Sequence, residues 1–134
     1  MTKTEQQIER DLYAMIKASS LGTSIRGSVY RSEMRAADAT TEDVIVKFLA
    51  GVDEQIQQGV VVINIYVPDI RYDGRLVPDK SRIGELQQLV IDFIEQCDSV
   101  EYWIVPDSTP YTASVEGVDQ HVIISRIKFS RIIN

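Results

Sequence analysis

The chain has 134 residues, 44% of them apolar and 25% charged. That is the size and balance of one folded domain and excludes wholesale disorder. The net charge of −6 speaks against a nucleic-acid binder, which needs clustered Lys and Arg to neutralise phosphates, and no apolar run approaches the roughly 20 residues that span a bilayer.

The first predicted element is a helix over 4–19. Thr4 followed by Gln7 is a capping-box pattern, and Ile8, Leu12, Met15 and Ile16 fall on one stripe at helical spacing. The polar start from Met1 to Gln7 has no apolar signal-peptide core, so the expected location is the cytoplasm. Gly22 is the expected helix stop. A short strand over 27–31 and a polar segment over 32–42 follow.

Residues 43–49 read as a strand with Val44, Val46 and Phe48 on one face, and 51–54 as a turn. The strongest strand covers 56–67. Val61, Ile63, Ile65 and Val67 take one face; Val60, Val62, Asn64 and Tyr66 take the other. Both faces are largely apolar, which predicts a central or doubly covered strand, paired with its predecessor as an antiparallel hairpin. Pro68 has no amide hydrogen and is expected to end the ladder. Residues 69–78 read as a loop with Asp73-Gly74 at its turn.

A second helix is predicted over 79–97, with Ile83, Leu86, Val90, Phe93, Ile94 and Cys97 as its apolar stripe. Strands follow over 100–105, 111–115 and 120–132, with a turn over 106–110. The last strand places His121, Ile123, Ser125, Ile127 and Phe129 on one side. Neither repeat nor linker divides the chain, so a single domain over 1–134 is expected. Two amphipathic stripes must be buried against something, and the available partner is the sheet. The predicted class is α+β, a mostly antiparallel sheet with two amphipathic helices packed on it.

Few residues of the chain suggest chemistry. His121 is the only histidine, so a metal site or triad built on histidine must centre on it. Cys97 is the only cysteine; it cannot close an internal disulfide, and it reads as core filler more readily than as a nucleophile paired with His121, because Asp98 opposes thiolate formation. Asp69, Asp73 and Asp79 flank one loop, but their spacing lacks the alternation of a calcium site, and Arg71 and Arg75 lie between them. The glycines form no phosphate cradle, and Gly27 and Gly59 read as sites of strand twist or bulging. Tyr102 and Trp103 are adjacent in a strand, so one of them faces outward, as suits a subunit contact. No catalytic residue, cofactor or metal is expected.

Charge is uneven. Between Ile83 and Ser125 there are eight carboxylates and no Lys or Arg, while Arg26, Arg31 and Arg35, and again Arg126, Lys128 and Arg131, gather positive charge. Two readings stand: an ordinary solvated surface, or acidic and basic flanks that orient like subunits head to tail.

The ordered segments Gly27-Ser28-Val29-Tyr30-Arg31, Glu42-Asp43-Val44-Ile45-Val46, the run from Gly59 to Asp69 and the closing His121-Val122-Ile123-Ile124-Ser125-Arg126-Ile127 carry a resemblance. In order of elements the chain resembles the tail-completion and tail-terminator proteins of long-tailed phages and prophages. The resemblance spans most of the chain as a pattern of elements rather than a diagnostic motif. It implies a structural, non-enzymatic subunit of a homo-oligomeric ring, commonly of six copies, that meets tail-tube and head-connector proteins. It implies no specific nucleic-acid or membrane binding, and a location in the host cytoplasm followed by the virion tail. Segments 32–42 and 69–78 exceed the usual connection length of about 4–6 residues, which makes Arg31, Arg35, Asp69, Arg71, Asp73 and Arg75 the candidate interface. A generic protein-binding module and an enzyme with a dispersed site are the alternatives.

Overall fold

Thr4 opens the first helix. Its hydroxyl accepts the Gln7 amide at 3.2 Å while the Gln7 side chain accepts the Thr4 N–H at 2.9 Å, so two otherwise orphan donors are met. The structure is a computed structural model describing residues 1–53 and 55–132. From this cap it runs through α1 (Glu5–Ala18), α2 (Ser20–Ser24), β1 (Val29–Arg31), β2 (Asp43–Asp53) and β3 (Ile56–Pro68). It continues through β4 (Ile70–Tyr72), β5 (Arg75–Val77), α3 (Lys80–Gln96), β6 (Trp103–Pro106), β7 (Tyr111–Ser114) and β8 (Gln120–Ile132).

One sheet has the order β1-β2-β3-β8, with β6 and β7 following one another along the far edge of β8. Among the described residues only β1–β2 is a parallel pair. β3 pairs with β8 along its whole length, from Ile56↔Ile132 to Pro68↔Gln120. The alternation of β3 decides which side is the core: Val61, Ile63, Ile65 and Val67 are buried beside Ile123, Ile127 and Phe129. Against this face lie Ile8, Leu12 and Ile16 of α1 and Ile83, Leu86, Val90 and Phe93 of α3, in one continuous cluster. The fold is α+β, a mostly antiparallel sheet with its helices on one face. Among the described residues no helix is long and apolar enough to cross a membrane.

The other sheet face carries Val60, Val62, Asn64 and Tyr66. Part of it is crossed by segment 32–42, whose Arg35 guanidinium stacks 4.3 Å from the centre of the Tyr66 ring. Arg35 also donates to Asp43 at 2.8 Å, and Asp43 accepts from Thr41 at 2.6 Å and from the Ser28 amide at 2.8 Å. Burial opposes ionisation of Asp43, but these donors override it and hold its carboxyl below the usual range.

Several elements differ from the sequence-based expectation. Gly22 lies inside the short helix α2 instead of ending α1, because Ser19 stops α1 and its hydroxyl caps the next turn through the Gly22 amide. The turn predicted over 51–54 is displaced: Gly51, Val52 and Asp53 continue β2 opposite Gly59, Gln58 and Gln57, and Glu54 lies outside the described residues. A register shift between Phe48 and Ala50 accommodates this extension, and Gly59 sits where a side chain would strike the Ala50 carbonyl. The β3–β8 ladder does end at Pro68, which is the last paired residue, opposite Gln120. Strand β6 begins at Trp103, since Ser99 turns the chain by accepting the amides of Glu101 and Tyr102. The loop predicted over 69–78 is a second, two-stranded sheet formed by β4 and β5.

Candidate interaction surface

Strands β4 and β5 leave the body of the molecule at the Pro68 end of the sheet. Asp73 (φ 52°) and Gly74 (φ 77°) both adopt left-handed backbone, the pair of conformations that a tight two-residue hairpin turn demands. Ile70 pairs with Val77, Arg71 with Leu76 and Tyr72 with Arg75. Tyr72 and Arg75 therefore share one face, and Arg71 and Leu76 the other. Every strand residue except Val77 is exposed, and Tyr72 is 66% exposed. A two-stranded hairpin is only marginally stable in water without a surface to cover it. This arm presents apolar side chains on both faces.

The opposite end of the sheet is also apolar and open. β3 has thirteen residues, so this end lies about 40 Å from the arm at the usual rise per strand residue. Ile56, Val100, Trp103 and Ile132 border a groove of ≈ 560 Å3 there. Trp103 is 76% exposed while its neighbour Tyr102 is buried, which resolves the alternation read from the sequence. Beneath the groove a polar network fastens the N-terminal segment: Lys3 lies 2.6 Å from both Asp11 and Glu101, Arg131 lies 2.8 Å from Glu101, and the Tyr102 hydroxyl donates to Asp11 at 2.7 Å. Glu101 is held below the usual carboxylate range chiefly by the Lys3 hydrogen bond, with Arg131 adding to it.

Most of the clustered positive charge of the sequence is paired within the chain on folding. Arg31 pairs with Glu9 at 3.1 Å, Arg35 with Asp43, Arg126 with Asp107 at 3.0 Å, and Arg131 with Glu101. Arg31 and Arg35 thus use their guanidiniums within the chain. Arg71, Asp73 and Arg75 are exposed on the arm, whereas Asp69 at its base turns inward. Among the described residues Arg71 and Arg75 form no salt bridge, nor do Glu95 and Asp98 beside the distal groove. The arm is therefore apolar with a net positive charge, Arg71 and Arg75 outweighing Asp73, and the far end apolar with the anionic Glu95 and Asp98.

Asp69 accepts from His121, with Nδ1 2.7 Å from Oδ1, and the other ring nitrogen lies 3.4 Å from Ser114 Oγ. The sequence does not mark Ser114, because only β7–β8 pairing brings it opposite His121. Beside them is an open depression of ≈ 480 Å3 reached by Lys80, Ile83 and Gln87 from α3. Cys97 is half-buried at the other end of α3, about 25 Å along the helix axis, so it does not meet His121. Asp79 caps α3 by accepting the Arg82 amide at 3.2 Å, which separates it in role from Asp69 and Asp73. Among the described residues no group of three acidic, His or Cys side chains is placed to hold a metal ion.

No known family model matches the chain, and no curated protein shows significant similarity to it.

Proposed function

We propose that the chain is a ring-forming structural subunit of a phage or prophage tail, in which the arm of one copy docks on the apolar end of the next. The observation that carries this reading is the placement of two unlike, complementary surfaces at opposite ends of one sheet. A contact between different patches on identical copies is heterologous and closes into a ring when the rotation between copies closes. Tyr72 and Trp103 are the kind of large, exposed aromatic residues that anchor such contacts. Arg71 and Arg75 against Glu95 and Asp98 supply the orientation. Tail-tube and head-connector proteins as further partners, and a location in the host cytoplasm and then the virion, follow from the resemblance in element order.

Sedimentation velocity across a concentration series tests the reading. The expected result is a closed homo-oligomer that Arg71→Glu/Arg75→Glu and Glu95→Arg/Asp98→Arg each revert to monomer. Mixing the two variants is expected to restore assembly, because every contact then joins opposite charges. Tyr72→Ala and Trp103→Asp are each expected to weaken association by at least about 30-fold, the scale of an interface hot spot. Both positions are exposed, so unfolding stability is expected to change by no more than about 0.5 kcal/mol. A wild-type protein that stays monomeric at millimolar concentration would defeat the proposal.

A further inference from the structure

We propose that Ser114, His121 and Asp69 form a nucleophilic site that hydrolyses small carboxylic esters. This inference goes beyond the assembly reading and does not depend on it. The connectivity is that of an acyl-transfer triad: carboxylate to Nδ1, then Nε2 to a serine hydroxyl. With Asp69 accepting at 2.7 Å, the proton is assigned to Nδ1, which leaves Nε2 as the base facing Ser114. The 3.4 Å separation of Nε2 and Oγ is at the long end for such a bond, as is usual before substrate binds.

The fold explains why the three meet. Ser114 and His121 are directly opposite in the β7–β8 ladder, and the Val115 amide donates to the Gln120 carbonyl at 3.1 Å. The adjoining Ser114–His121 pair is therefore the narrow, non-hydrogen-bonded kind, in which side chains approach most closely. The same geometry turns the Ser114 N–H away from β8, toward the outer edge of β7, and this donor is the one assigned to the developing oxyanion. Asp69 is fixed by its own amide, which donates to the Asp119 carbonyl at 2.9 Å. The His121 and Asp69 side chains are 19% and 11% exposed, so their contact is shielded from water, while Ser114 is open to the depression beside α3. That depression is lined by Pro78 and Ile83 and by the polar Lys80, Gln87 and Thr112, which suits a short acyl chain on a polar leaving group.

The reaction balances with water alone. Ser114 Oγ attacks the ester carbonyl carbon as its proton passes to Nε2. The tetrahedral oxyanion collapses, the bond to the alcohol oxygen breaks, and the alcohol leaves with that proton. Water, deprotonated by His121, then attacks acyl-Ser114; the bond to Oγ breaks, Oγ recovers the proton, and the carboxylic acid departs. Asp69 is a positioning residue that holds the ring and its tautomer.

The test uses the full chain with p-nitrophenyl acetate and, separately, an alkyl fluorophosphonate, with peptide mass mapping. The expected result is turnover of the ester and one covalent adduct on Ser114. Ser114→Ala, on an exposed edge strand, is expected to abolish both with its circular dichroism unchanged. His121→Gln is expected to slow labelling at least about 100-fold, the scale of general-base catalysis. Asp69→Asn is expected to lower kcat per active site, with sites counted by the fluorophosphonate adduct on Ser114, a readout that partial loss of structure would not move because unfolded chains are not counted. The proposal is overturned if Ser114 labels no faster than exposed Ser81, or if His121→Gln leaves the labelling rate unchanged.

Discussion

Arg82→Ala is expected to lower the free energy of unfolding by about 3–5 kcal/mol, the usual cost of stranding one partner of a buried ion pair. Arg82 donates through Nε to Glu42 at 2.9 Å and through a terminal nitrogen to the other Glu42 oxygen at 2.7 Å, a two-point grip on a carboxylate whose side chain is only 2% exposed. The same guanidinium donates to the Ser24 carbonyl at 2.9 Å and to Glu85 at 3.0 Å. One side chain thereby joins the first turn of α3 to the end of α2 and the entry to β2. Once the guanidinium is gone, the hydrogen-bond donor left to the Glu42 carboxylate among the described residues is the Arg26 amide at 3.1 Å, with the Arg26 charge nearby, and burial disfavours its ionised form. Arg82→Lys retains the charge but cannot reach both oxygens and the carbonyl together, so an intermediate loss is expected. Urea unfolding at neutral pH distinguishes these outcomes, and a loss below about 1 kcal/mol for Arg82→Ala would show that water compensates Glu42. Glu42→Leu/Arg82→Leu is expected to recover much of the loss, because it removes both charges at once.

The sequence makes some of this legible and hides the rest for physical reasons. The helices α1 and α3 and the strands β3 and β8 each bury one face against the core, and burial imprints a period on the residues; Ile83, Leu86, Val90 and Phe93 are such an imprint. The arm has no buried face, so its three-residue strands carry no alternation, and only Asp73-Gly74 betrays the hairpin. The turn reading of 51–54 fails because pairing with β3 outweighs the local preference of Gly51 and Asp53. Adjacent Tyr102 and Trp103 must face opposite ways in a strand, so the exposed aromatic is legible, although which of the two is exposed is not. Charge misleads for a different reason. Arg31, Arg35, Arg126 and Arg131 look clustered along the chain, yet each meets a carboxylate that is remote or across a turn. Ser114, His121 and Asp69 come from three segments, and His121 and Asp69 are 52 positions apart, a distance no local pattern spans.

Acid is expected to unfold the protein through Glu42 and Asp43, which are buried, and through the half-buried Asp11 and the more exposed Glu101. Asp11, Glu42 and Asp43 all sit where burial works against their charge, and in each case nearby donors prevail and lower the pKa below its ordinary value. Glu101 is lowered as well, first by Lys3 and then by Arg131 in spite of partial burial. A carboxyl whose pKa is depressed by folding binds its proton less readily in the native state than in the unfolded chain. Its contribution is therefore complete above the unfolded carboxyl range, about 4 to 4.5, and is lost as pH falls through the lower native values. The urea midpoint is expected to be steady from pH 7 to about 5 and to fall steeply below about 4. Protonating Asp43 removes the charge that Arg35 and Thr41 hold, so segment 32–42 is expected to release Tyr66 before the core opens, seen as an early change in tyrosine fluorescence. Glu42→Gln tests the assignment from the other side: stability at pH 7 is expected to drop, and the remaining acid dependence to be shallower than that of the unaltered chain. A midpoint that stays level from pH 7 to 3 would mean that these pairs are as well solvated unfolded as folded, and the same measurement would remove the basis for the large Arg82 effect.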